Sequence, residues 1–265
     1  MTLFEVLTAA VADMVEHGFD SEERVSKWVE KIRQAALKSL LPESTMQIEV
    51  ERALTAAYTR LVTKGGMINS NVSKYTIDRL KPKLRAELDR RIIASVNLIK
   101  LNRQEAISNT LRRFQGWATS IPIGGTKITD RAQQKKAIRA SLGKAGFEQR
   151  RVVIDQTHKL VSSLNEIVAV DNGAIAARWH SHWRQPHYHF RKDHKERDDK
   201  VFVIRDTWAT EKGLLKAPNG YTDEITSPGE EVYCRCNYVY LYNLRQVEGL
   251  LTKKGKTTLQ STRVS

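Results

Sequence analysis

Residues 174–183 read AIAARWHSHW, and the texture of the chain changes there. Upstream, apolar residues recur at helical spacing. From this point, β-branched and aromatic residues gather in short runs that suit strands. Two later runs share the character, KVFVIRDTW at 200–208 and EVYCRCNYVYLYN at 231–243. Turn formers separate the runs at Pro186, Gly213, APNG (217–220) and SPGE (227–230). Short antiparallel strands joined by loops are the expectation.

The upstream segments read as helices. Leu3, Leu7, Val11 and Met14 share one face, which ends near Gly18. After the helix start DSEE, the pattern resumes with Val25, Trp28, Val29, Ile32, Ala36 and Leu37. Val50, Leu54, Tyr58 and Leu61 mark a third helix, which stops before Gly65-Gly66. A fourth, from about Pro82 to Trp117, carries Ile92, Val96, Ile99, Ile107, Leu111 and Phe114. ATSIPIGGTKITD (118–130) then interrupts the helices and reads as a hinge. Asp130 is placed to cap a basic helix, and Val153, Thr157, Leu160, Leu164 and Ile167 trace another that closes near Asn172-Gly173.

The fold class expected is therefore α+β, a mostly helical N-terminal region followed by a domain of helices with a small antiparallel β-sheet. The boundaries fall at residues 1–120 for the helical region and 121–245 for the α+β domain. Residues 246–265 read as a basic flexible tail.

Charge points to polyanionic partners. The 265 residues carry a formal net charge of +14 and a pI near 9.8. Eleven basic residues between Lys74 and Arg113 face four acids, and eight between Arg131 and Lys159 face two. Phosphate backbones reward such blocks with salt-dependent, sequence-independent affinity. Arg85, Arg90, Arg91, Lys135, Lys136 and Arg139 are the candidate anion contacts. No basic-then-apolar leader opens the chain, and no run of about 18 apolar residues occurs, so neither secretion nor a membrane partner is expected. Two cysteines cannot make a disulfide framework, which suits a reducing cytoplasm.

Those cysteines are Cys234 and Cys236, and five of the seven histidines lie between residues 178 and 194. Thiolate and imidazole together suit zinc, which structural sites hold with four ligands. The expected ligands are Cys234, Cys236 and His194, with a fourth from His180, His182, His187 or His189. On a strand Cys234 and Cys236 would project to one side, and Asp193 can orient a ligand imidazole. A catalytic reading would add Asp193, Asp198, Asp199 or Asp206 to a metal and a histidine base, or make Cys234 a nucleophile. No H-E-x-x-H, P-loop or nucleophile elbow accompanies them.

From about Phe147 to Leu241 the chain resembles the phage head morphogenesis family, typified by Mu F-like minor capsid proteins. The resemblance rests on the helix FEQRRVVIDQTHKLVSSLNEIVA, Trp179, RKDH at 191–194, ERDDKVF at 196–202 and SPGEEVYCRC at 227–236. DQTH at 155–158 stands where the family often has Arg-Thr-Glu, and His180, His182, His187 and His189 lie outside its pattern. The resemblance implies a bacteriophage minor head protein made in the host cytoplasm and carried in the virion near the portal. Its implied partners are the portal protein, other capsid or scaffold proteins and non-specifically bound DNA, and its role is head morphogenesis and DNA packaging or ejection. It implies no enzyme. The alternatives are a metal-dependent nuclease or other nucleic-acid-acting enzyme with a His/Cys site, and a purely structural connector without DNA contact.

Overall fold

A computed structural model describes residues 1–63, 72–127 and 130–261. The expected breaker Gly65-Gly66 lies outside them. The fold is α+β, with nine α-helices and one three-stranded antiparallel sheet among the described residues. None of these helices is long and apolar enough to cross a membrane.

The chain forms two compact units that are interleaved in sequence. The first joins Met1–Glu51 to Ile93–Val153, and the second joins Arg52–Ile92 to Ile154–Ser265. The expected break near residue 120 is not where they part. Helices α3 (Glu43–Val62), α4 (Lys74–Ala118) and α6 (Ala145–Asp171) each contribute residues to both units.

In the first unit, α1 (Leu3–His17) opens with a capping box from Thr2 to Glu5 and ends at Gly18. Ser21 caps α2 (Glu22–Ser39). Asp13 on α1 accepts from Arg24 at 3.0 Å and from the Trp28 indole at 2.7 Å, which ties the two helices together. Their buried faces, with Leu7, Met14 and Ile32, share one core with Phe114, Ile121, Ile138 and Leu142. That shared core is why the expected hinge belongs to the unit. Gly124 and Thr126 donate backbone N–H groups to His17 and Val15 at 3.0 and 2.9 Å. Gly125 sits at φ +87°, and a Cβ there would lie 2.2 Å from the Val15 carbonyl oxygen, so only glycine fits. Asp130 caps α5 (Arg131–Ile138) through the Gln133 N–H at 2.8 Å.

Helix α4 begins eight residues before the expected Pro82, which lies inside it. Proline removes a helical hydrogen bond and costs about 3 kcal/mol in a helix interior. Burial of Leu80, Leu84 and Leu88 around it opposes that cost.

The second unit holds the sheet, ordered β2-β1-β3, with β1 (Ala176–His180) between β2 (Val201–Val203) and β3 (Asn237–Leu241). Ala176 pairs with Val203 and Leu241, and Ala177 pairs with Phe202 and Tyr240. Alternation therefore sends Ala176, Val203 and Leu241 to one face and Ala177, Phe202 and Tyr240 to the other. The first face packs on Leu214, Leu244, Val247, Leu250 and Leu259. The second packs on Ala169 of α6 with Trp179, Cys234 and Cys236.

The strands are shorter than the sequence runs, and Cys234 and Cys236 precede β3 rather than lying in it. Tyr233 adopts φ +60°, which no strand accommodates. The expected flexible tail also differs as far as Ser261, and its last four positions, 262–265, lie outside the described residues. Residues 244–250 form a 3-10 turn and Lys253–Ser261 form helix α9. Thr252 donates to the Leu214 carbonyl at 2.9 Å, and Leu259 is buried in the sheet's first-face cluster. Buried Val247, Leu250, Leu251 and Leu259, with the backbone hydrogen bonds of Thr252 to Leu214 and of Lys216 to Leu250, anchor a segment whose composition looked soluble.

Candidate metal centre

Three donors converge beneath the sheet's second face. Short helix α7 (Lys192–Glu196) delivers His194, and the loop entering β3 delivers Cys234 and Cys236. All three are buried, at 1%, 1% and 0% exposure, and their ligand atoms lie within 4.8 Å of one another. His194 Nδ1 is 3.6 Å from the Sγ of each cysteine. Trp179 packs edge-on against the imidazole, with ring centroids 5.1 Å apart. Two sulfurs and one imidazole gathered in a dry pocket are compatible with a bound metal.

The thiols are electrostatically unequal. The hydrogen bond from Cys236, the Gly229 N–H and the His194 ring outweigh burial and pull Cys234 down to about 5. The same partner and burial push Cys236 up. The pair thus gives up one proton readily and holds the second, which a cation would displace.

A polar stripe on α6 fixes the cysteine loop. Asp155, His158, Lys159 and Ser162 fall at i, i+3, i+4 and i+7, one helix face. Asp155 Oδ1 accepts the Tyr233 N–H at 2.6 Å, and His158 Nε2 donates to the Cys236 carbonyl at 3.2 Å. Ser162 Oγ donates to the Pro228 carbonyl at 2.5 Å. Gly229, at φ +84°, lets this loop approach, since a Cβ would meet Ser162 Cβ at 3.3 Å. Its N–H donates to Cys234 Sγ at 3.3 Å. Lys159 pairs with Asp155 at 3.1 Å, both side chains nearly buried.

The far side of His194 faces carboxylates. Nε2 is buried without a hydrogen bond, 3.5 Å from Glu231 Oε1 and 3.8 Å from Asp193 Oδ2. Arg191 pairs with Glu231, while Arg197 holds Asp193 at 2.8 Å. Glu231 is the nearer and less exposed, so it joins the expected Asp193 as an orienting group.

The four other expected histidines do not enter this group. The chain leaves β1 at His180 and loops outward. The Trp183 indole and the Ser181 N–H both bind Asp198, at 2.7 and 2.8 Å, and Ser181 Oγ, not an imidazole, lies against Cys236 Sγ at 3.8 Å. The His180 and His182 rings meet edge to face, with centroids 5.4 Å apart. His187, at φ +60°, and His189 are exposed. His180 instead gathers with Asp198 and Asp199. Of the carboxylates in the catalytic reading, Asp193 serves Arg197 and Asp198 serves the loop. Asp199 and Asp206 occupy left-handed positions at φ +62° and +53°.

The anion candidates divide. Arg85 pairs with Asp89 at 3.0 Å, and Arg90 and Arg91 both grip Glu87, at 2.7 and 2.9 Å. Burial raises Glu87, but those guanidinium bonds outweigh it and hold its carboxyl below the usual range. In the first unit, Lys135 donates to Thr8 Oγ1 at 3.1 Å and lies over Phe4, as does Arg139, while Lys136 is exposed.

The residues that sequence reasoning missed are Asp155, His158, Ser162, Gly229 and Glu231. The helical spacing of the first three was the available signal. Comparison with protein-family models, curated proteins and solved structures finds no match to this chain.

Proposed function

We propose that this chain is a phage minor head protein whose C-terminal module is clasped by a structural zinc ion. The observation that carries the reading is where the segments behind the family resemblance meet. R-x-x-H supplies Arg191 and His194, SPGEE supplies Gly229 and Glu231, and C-R-C supplies both thiols, all around one buried point. Zinc bonds of about 2.0–2.1 Å to nitrogen and about 2.3 Å to sulfur in a tetrahedron separate N from S by about 3.6 Å. That is the observed spacing of His194 Nδ1 from both sulfurs.

The expected partners are the portal and DNA. Phosphate contact falls to Lys135, Lys136 and Arg139, because Arg85, Arg90 and Arg91 spend their charge on neighbouring acids. The reading is non-enzymatic. Its rival is metal-dependent cleavage of nucleic acid. Three protein donors gather among the described residues, and a catalytic zinc has three with a fourth position open. Complete burial of all three favours the structural role.

The test is co-expression with the portal protein of the same phage. Co-assembly of portal with one zinc per chain, and intact DNA after incubation, is the expected result. A chain that ignores the portal and cuts DNA in a zinc-dependent way would refute the reading.

A further inference from the structure

The loop between β1 and α7 carries three of the seven histidines and three large aromatic residues, Trp183, Tyr188 and Phe190, none of them a donor of the metal centre. Trp183 is locked there by its indole bond to Asp198 at 2.7 Å. Phe190 stands against it, centroids 6.3 Å apart and tilted by 68°, and is 41% exposed. Cations lie on these rings. Lys195 Nζ is 4.3 Å from the Trp183 centroid and 5.5 Å from that of Phe190. Arg184 Cζ is 4.8 Å from Trp183, and Arg235 lies over Tyr188 at 5.9 Å. These three cations rest on aromatic faces and form no ion pair among the described residues. Arg85, Arg90 and Arg91 of α4 differ, being bound to acids.

We infer that this loop is a platform for single-stranded nucleic acid. The ligand must present flat π-faces and regularly spaced anions together. A duplex keeps its base faces stacked inside. An acidic peptide would use the cations but gain little from the rings. A single strand uses both, because every base has a face to stack and a phosphate beside it. Bases take Trp183 and Phe190, while Lys195, Arg184 and Arg235 swing from the rings to the phosphates. No base identity is read, so affinity follows stacking and salt.

The experiment uses the full chain with a fluorescent oligo-dT and, separately, a duplex of equal length. Trp183→Leu and Phe190→Leu are each expected to weaken oligo-dT binding roughly tenfold, the scale of one lost base stack, and to leave duplex binding unchanged. Trp183→Phe keeps a ring and should retain most of the affinity. Arg184→Gln with Lys195→Gln should flatten the salt dependence for the single strand. Bound metal and melting temperature are followed in each variant. Should Trp183→Leu misfold through loss of its Asp198 bond, Phe190→Leu decides alone. Unchanged oligo-dT affinity in a folded Phe190→Leu variant, or equal losses on strand and duplex, would overturn the proposal. Duplex contact through α5 and portal assembly have separate readouts and stand or fall apart from it.

Discussion

Tyr233 donates its backbone N–H to Asp155 Oδ1 at 2.6 Å, joining residues 78 apart in sequence. Asp155 also carries the nearly buried ion pair with Lys159. Removing one partner of such a pair strands the other charge, at a cost of about 3–5 kcal/mol. Asp155→Ala is therefore expected to lower the urea midpoint strongly. Asp155→Leu combined with Lys159→Met should recover part of the loss, because both charges leave together.

Replacing Cys234 and Cys236 with serine should abolish metal binding, measured by elemental analysis of the purified chain. Binding energy at a structural site is folding energy. The second unit should then melt earlier and expose the Trp179 side of its sheet, seen as increased dye binding. Chelator treatment of the unaltered chain should reproduce the effect.

Glu231→Gln should keep the fold and weaken metal affinity roughly 10- to 100-fold, the usual effect of losing a group that orients a ligand imidazole. A competition titration against a chromogenic chelator measures it. Asp193→Asn should do less, because that carboxylate is further from Nε2 and already engaged by Arg197.

The metal-free chain should show a pH signature. Cys234 falls to about 5 from an ordinary thiol value of 9.0, while Cys236 is raised. Between those pH values the folded pair holds one proton fewer than the unfolded chain, so stability rises with pH. It is lost as pH falls through the Cys234 value. Above the ordinary thiol value the unfolded chain releases a proton that folded Cys236 keeps, and the contribution declines. The urea midpoint of the metal-free chain is expected to climb from about pH 6 to about pH 8, and Cys234→Ser should flatten that slope.

Two glycine substitutions should have opposite signs. Gly125→Ala places a methyl group against the Val15 and Glu16 carbonyls at a positive φ and should cost on the order of 2–4 kcal/mol. Gly116→Ala, in α4 with open space around it, should gain about 0.5–1 kcal/mol. Thermal melts separate the two.

Much of this architecture is readable from residue spacing. The faces of α1, α2 and α6 follow apolar periodicity, and Asp130 caps the helix that its position announced. His194, Cys234 and Cys236 are legible as a group able to hold a metal because few other chemistries use those groups together. The four histidines offered as a fourth ligand fall outside the group for a tertiary reason, since nothing local shows that His180 gathers with Asp198 and Asp199, that His182 meets His180, or that His187 and His189 are exposed. The strand expected through Cys234 failed at Tyr233, where the backbone is left-handed and its N–H binds Asp155 of α6 instead of a neighbouring strand. The pairing of Arg85, Arg90 and Arg91 was legible, because Glu87 and Asp89 stand three or four residues away.

The interleaving of the two units has a consequence for biosynthesis. Helices α1 and α2 leave the ribosome with apolar faces whose remaining partners, Phe114, Ile138 and Leu142, are translated much later. For that interval the nascent chain offers sticky surface that a holdase can shield or a protease can find. A gene fragment stopping at residue 120 would freeze the chain in that exposed state, since it lacks Ile138 and Leu142 altogether.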